Sequence, residues 1–279
     1  MWPILRIELF KIFSRPRTYI SFVAITVIVA LIQLALYVDG KNYIQFGMQS
    51  LTQGFDIEGN VLNGYLVCFI ILQTLLIHVP LLIALVAGDA IAGEANMGTL
   101  RILLTRPVGR VELLLAKFAA SLVYTLLLLV WMALLALFLS LFIFGKGDLM
   151  ILKSEEVVVL AQNDVFWRYG WAFLFASLSM VMVAALAFLL SIFADNSIGP
   201  IITTMSIVIL FTILTTLDIP FFQLLRPWLF TTHMLGWKAF FDDPIPWQAV
   251  SQSAAILLLH ILFFAILGAW VFKRKDILS

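Results

Sequence analysis

Six stretches of about 20 residues along this chain contain no Asp, Glu, Lys or Arg, and each is bounded by charged or turn-forming residues. Wound as helix, a run of that length covers roughly the 30 Å hydrocarbon core of a bilayer. The pattern therefore predicts membrane-crossing helices at 18–38, 65–88, 118–144, 171–193, 198–217 and 251–272. The third is long enough to tilt, and Pro80 should kink the second by removing a backbone donor. Only Ala194, Asp195, Asn196 and Ser197 separate the fourth from the fifth, which predicts a tight helical hairpin. Asp, Asn or Ser can cap the following helix, and Pro200 is tolerated in its first turn.

Two flanking segments read differently from the spans. In residues 1–17, Ile4, Leu5, Ile7, Leu9, Phe10, Ile12 and Phe13 interleave with Arg6, Glu8 and Lys11, while Glu8, Lys11 and Arg15 share one helical stripe. This predicts an amphipathic helix lying in the membrane interface with Trp2 as anchor. Residues 218–250 are too apolar for a free outer loop, and Pro220, Pro227, Pro244 and Pro246 break them up. Short helices re-entering the outer leaflet and bracing span six are expected there. The connection 145–170 is polar enough to stay outside, and its Glu155-Glu156 pair has no metal-ligand spacing, so it reads as solvated surface.

Composition narrows the class. Of 279 residues, 63% are hydrophobic and 12% charged, whereas soluble domains carry roughly a quarter charged residues. A soluble globule is excluded, and a multi-pass protein of a bacterial inner or plasma membrane is expected. The net charge of +1 gives no basis for a nucleic-acid partner, and the lone Cys68 excludes an intrachain disulfide or a cysteine zinc site. Sidedness follows from the cations. Arg6, Lys11, Arg15, Arg17, Arg101, Arg106, Arg110, Lys117, Lys273, Arg274 and Lys275 fall on one side; Lys41, Lys146, Lys153, Arg168, Arg226 and Lys238 fall on the other. The excess places both termini in the cytoplasm.

Chemistry is sparse within the spans. Their ionisable residues are His78 and His260, each read as a neutral side chain bonded to a neighbouring helix, so an ion-coupled transporter is disfavoured. There is no H-E-x-x-H, no glycine-flanked serine and no G-x-x-x-x-G-K-[ST] loop. No catalytic, cofactor or metal site is expected in this chain, and any ATPase must be a separate subunit.

The connection at 89–117 is the most informative segment. Asn96 can cap a short helix on which Met97, Leu100 and Leu104 share a stripe, and Pro107 ends it at Arg106. Gly109 permits a turn, and from Val111 a new helix enters span three with Lys117 near the membrane surface. Local physics leaves two readings open: a helix that docks on a soluble partner, or one lying on lipid headgroups.

Gly93-Glu94, Gly98-Thr99-Leu100, Leu103-Leu104, Arg106-Pro107, Arg110 and Lys117, set between spans two and three of a six-span chain, resemble the signature of type 2 ATP-binding-cassette (ABC) exporter permeases. The resemblance implies an all-α integral membrane protein over residues 1–279 with an interfacial helix (1–17), a cytoplasmic coupling loop (89–117) and an outer re-entrant segment (218–250). Residues 94–104 would form the coupling helix. Gly93, Glu94, Gly98, Thr99, Leu100, Arg101, Leu104, Arg106, Pro107 and Arg110 would make up the ATPase-coupling surface. Glu94 would then meet a helix start or an ATPase arginine, and Lys117 would mark a snorkelling span boundary. Partners would be a nucleotide-binding subunit holding ATP and Mg, a second permease copy and membrane lipids. The alternative is a membrane anchor or regulator that recruits a cytoplasmic ATPase without moving substrate.

Overall fold

The computed structural model describes residues 1–48, 61–104, 109–152, 157–217 and 219–275; of residues 41, 43–48, 101 and 104 it describes the backbone alone. The protein is an all-α integral membrane protein, and six helices among the described residues are long and apolar enough to cross a bilayer. The spans run Pro16–Gly40, Gly64–Ala87, Arg110–Phe144, Gln162–Phe193, Ile198–Thr216 and Trp247–Arg274. All six expected spans are present, and the third and fourth begin earlier than expected, at Arg110 and Gln162, because helix continues through their charged flanks.

Helix α1 (Trp2–Phe13) is followed by α2 (Pro16–Met48), which contains span one. Span two is α3 (Gly64–Ala87), and it remains helical through Pro80. Its start is set by Asn63, whose Oδ1 accepts from the backbone N–H groups of Tyr65 and Leu66 at 3.0 and 3.1 Å. The loop after span two holds α4 (Ala92–Asn96) and α5 (Thr99–Leu104). Span three comprises α6 (Arg110–Ala133), a π-helical segment (Leu134–Leu139) and α7 (Ser140–Phe144). The π segment is met by buried Gln33 of span one, whose Nε2 donates to Leu135 O at 3.1 Å and Ser140 Oγ at 2.9 Å. A π turn displaces carbonyls from the regular ladder, and inside a membrane they need such a donor.

The connection expected as plain solvated surface contains an antiparallel hairpin of β1 (Leu149–Leu152) and β2 (Val157–Leu160), with Leu149 opposite Leu160. The Glu155-Glu156 pair lies outside the described residues. Span four, α8 (Gln162–Phe193), is the hub and packs against spans two, three, five and six. Span five is α9 (Ile198–Thr216). The tight turn before it is present; Asn196 Oδ1 accepts from Gly199 N at 3.0 Å, while Ser197 turns its hydroxyl elsewhere.

Residues 219–246 fold as short turns of helix: α10 (Pro220–Leu225), a 3-10 turn (Arg226–Trp228), α11 (Phe230–Met234) and a 3-10 segment (Leu235–Phe241). Helix α11 packs against α9 and against span six, α12 (Trp247–Arg274). Buried Arg168 at the start of span four holds this segment. It donates to Asp242 O at 2.7 Å and Phe240 O at 3.2 Å, and it pairs with Asp164. The molecule therefore has a hairpin end, with the β-strands and residues 219–246, and a loop end, with α1, α4, α5 and the four–five turn.

Both intramembrane histidines bond within their own helices, not to a neighbour. His78 Nδ1 meets Thr74 O, and His260 Nδ1 meets Ile256 O, each at 2.8 Å. A carbonyl four residues back is always within reach of a helical side chain, so each ring satisfies its Nδ1–H locally.

Candidate functional site at the loop end

The amphipathic first helix is present, with its polar stripe turned toward the protein. Glu8 is buried and Lys11 half-buried, whereas Trp2 and Phe10 on the other face are each 74% exposed. An apolar exterior and a charged interior suit a helix that presents greasy side chains to a bilayer while docking on charged groups of its own chain.

Those groups come from α4 and span three. Lys117 sits about two turns into α6, and at 2% exposure it is enclosed, not a snorkelling boundary. Its ammonium lies 2.8 Å from Glu8 Oε2 and 2.7 Å from Glu94 Oε2. The Lys11 ammonium lies 2.8 Å from the remaining oxygens, Glu8 Oε1 and Glu94 Oε1. Two carboxylates and two ammoniums thus alternate around a closed ring with zero net charge. Each carboxylate oxygen faces one cation, the arrangement in which mutual attraction offsets the cost of taking charge out of water.

Electrostatics follow this geometry. Burial by itself would raise the Glu94 pKa, but Lys117 and Lys11 outweigh it and hold the carboxyl below its ordinary value. Burial would lower the Lys11 pKa, and its hydrogen bonds to Glu8 and Glu94 raise it instead. Glu94 is 4% exposed, so it braces the loop from within instead of facing outward to a partner's arginine.

The expected single helix over 94–104 is two helices. Met97 and Gly98 separate them, Gly98 adopting a φ of +70° that favours glycine. Gly98 N donates to Ala95 O at 3.0 Å and Met97 N to Gly93 O at 3.2 Å. Asn96 therefore ends a helix and does not cap one, and Gly98 supplies the left-handed turn that closes it. Thr99 opens α5, and its hydroxyl reaches back to Glu94 O at 3.3 Å. Leu100 is buried with Ile91, Leu114, Phe188, Ile192 and Phe272, which fastens α5 to spans three, four and six. Met97 and Ile102 point outward, 55% and 62% exposed. Arg110 donates to Lys275 O at 3.1 Å. Arg106 and Pro107 lie outside the described residues, as do the side chains of Arg101 and Leu104.

Of the loop residues singled out from sequence, the fold gathers Gly93, Glu94, Thr99 and Leu100 into one inward-braced platform, while Arg110 joins the tail. Sequence reasoning missed Glu8, Lys11 and Lys117 as partners of Glu94, and it missed Asp89 altogether. A signal was there: Glu8 and Lys11 stand three apart in a segment otherwise rich in apolar residues, and Asp89 follows Gly88 at the very end of an uncharged run.

Comparison with known proteins agrees with a membrane protein distantly similar to an ABC permease. The chain is 35% identical over 113 residues to the probable ABC transporter permease protein NosY of Stutzerimonas stutzeri, covering 40% of this chain and 36% of that one. It is 26% identical over 199 residues to the uncharacterized protein YhcI of Bacillus subtilis, covering 69% and 63% respectively. The uncharacterized membrane protein YdbK of Bacillus subtilis aligns over 275 residues at 23% identity, covering 96% of this chain and 99% of its own length. The matched part thus spans less than two thirds of YhcI and of NosY, and nearly all of YdbK. Residues 26–278 match a family model described as Protein of unknown function (DUF2705), and the chain belongs to that family.

Proposed function

We propose that this chain is the membrane-spanning permease subunit of an ATP-driven ABC exporter. A separate nucleotide-binding subunit, holding ATP and Mg, docks at the loop end, which on this reading is cytoplasmic. The observation that carries the proposal is the platform built by α4 and α5: it is braced from inside by the Glu8–Lys11–Glu94–Lys117 ring and by Leu100, while Met97 and Ile102 project outward. A short rigid element with apolar knobs is suited to a groove on a soluble protein. The similarity to a probable ABC transporter permease protein supports the same assignment.

In this reading the chain does no chemistry. Movement of the docked ATPase presses on α5; Leu100 passes it to spans three, four and six, and Glu94 passes it to span three and α1. Spans five and six have the least buried apolar surfaces of the bundle, which leaves faces for lipid or for a second permease copy.

Affinity purification of the tagged chain in mild detergent, with identification of co-purifying proteins and an ATPase assay, tests the proposal. A nucleotide-binding subunit in near-stoichiometric amount, with ATPase activity, is expected. Reproducible recovery of the intact chain alone, without ATPase activity, would overturn it and favour an anchor or a lipid-surface loop.

A further inference from the structure

Asp89 follows the last turn of span two and is almost fully buried. Its carboxylate gathers two other parts of the chain. Oδ2 accepts from Arg15 Nη1 at 2.6 Å and from Arg17 Nη2, the first in the joint between α1 and span one and the second in the first turn of span one. Oδ1 accepts from Ser197 Oγ, the residue immediately before span five. Glycines close the fit. A Cβ on Gly93 would lie 2.6 Å from Asp89 Cγ, and one on Gly88 would lie 3.3 Å from Pro200 Cβ and Ile201 Cγ1 of span five.

Two ionic joints therefore stand side by side. The bonds of Asp89 run to spans one and five, and those of Glu94 run to α1 and span three. A cavity of about 30 Å³ lies between them, lined by both sets of charged groups, and it is large enough for a water molecule. The legs of Asp89 are unequal. Its bonds to two guanidiniums are between charged groups, whereas the hydroxyl of Ser197 is neutral, and charge-assisted bonds are roughly twice as strong.

We infer that Asp89 is a positioning residue that carries movement of the loop to span five through Ser197, separably from the Glu94–Lys117 joint that serves span three. The movement rests on the transport reading above; the separability rests on the geometry alone. Span five has a largely unburied surface, so a shift at its first residue meets little resistance from the rest of the bundle.

The test uses the full chain in lipid nanodiscs with Cys68 replaced by alanine and nitroxide pairs at M97C with I198C, and at M97C with V111C. Distance distributions are read by pulsed electron paramagnetic resonance. In S197A and D89A the 97–198 distribution should lose its narrow maximum while the 97–111 distribution keeps it; in E94Q the reverse is expected. Should D89A fail to fold, S197A removes only the weaker leg and still decides. Joint loss of both maxima in S197A, or an unchanged 97–198 distribution in S197A, overturns the inference. In the complex with the co-purified ATPase, ATP with vanadate should shift both distances in the otherwise unaltered chain and only the 97–111 distance in S197A. A 97–198 shift that survives S197A overturns the inference as well. Absence of any co-purifying ATPase removes the transport reading, and the nucleotide-free comparison still judges the joint.

Discussion

Lys117 and Glu94 stand 2.7 Å apart although they are 23 positions apart along the chain, and the contact joins a five-residue loop helix to the first turns of span three. Glu8 and Lys11 complete the ring from a third element, so the loop is held to the bundle by charge as well as by apolar packing.

Replacing Lys117 with methionine should be strongly destabilising. It leaves Glu8 and Glu94 buried with only Lys11 between them, and breaking one partner of an enclosed ion pair costs roughly 3–5 kcal/mol. Thermal unfolding in detergent should show a lower midpoint for K117M than for the double variant K117M/E94Q, which removes a buried anion together with its cation. A K117M midpoint equal to that of the unaltered protein would mean the ring contributes nothing.

The pH dependence of the ring has a definite sign. Glu94 is held below its ordinary 4.5, so its contribution is present above that value and is lost as pH falls through the lower folded one. Lys11 is raised above 10.5, so its contribution is full below that value and is lost as pH rises through the higher folded one. Glu8 and Lys117 face both groups, with Arg15, Arg17 and Asp89 across the small cavity. Hydrogen exchange of residues 92–104 should stay level between about pH 5.5 and 9.5, after correction for intrinsic rates, and quicken outside that window. A midpoint inside the window would contradict the ring.

Leu100 and Ile102 should separate stability from docking. Leu100→Ala empties a buried site shared by three spans and should cost about 2–5 kcal/mol. Ile102→Ala, on the exposed face, should change the unfolding midpoint little yet reduce recovery of the ATPase in affinity purification. Equal recovery with both M97A and I102A would place the docking surface elsewhere.

At the hairpin end, Arg168→Met should loosen the segment 235–243. It removes hydrogen bonds from a charged donor to Phe240 O and Asp242 O, a loss of about 1.5–3 kcal/mol. Faster hydrogen exchange confined to that segment is the expected result, with the loop end unchanged.

The spans were legible because a bilayer imposes a length and an absence of charge, and both are written along the chain without reference to any distant residue. The four–five turn was legible for the same reason, since four residues leave no other path. The break at Gly98 was not. A helical stripe through Met97, Leu100 and Leu104 fits one continuous helix equally well, and the left-handed turn is chosen only when Leu100 must reach the pocket formed by Leu114, Phe188, Ile192 and Phe272.

The first helix shows where local reading stops. Its amphipathic pattern was plain, but an amphipathic helix beside a membrane turns its apolar face to whatever apolar medium is nearest, and sequence does not say whether that is lipid or protein. Here the interior offers Lys117 and Glu94, so Glu8 and Lys11 turn inward and Trp2 and Phe10 turn out.

Hydrophobic length, the break-up by prolines and the placement of cations belong to the sequence by itself, and they determine a six-span helical membrane protein with an informative loop between spans two and three. The pairing of Glu8, Lys11, Glu94 and Lys117, the gathering of Arg15, Arg17 and Ser197 on Asp89, and the inward turn of the first helix were decided only in the tertiary structure. The physical reason is that a charge reads alike along the chain whether water, lipid headgroup or an opposite charge will meet it. Its burial is tolerable only once folding has brought the complementary group within hydrogen-bonding distance.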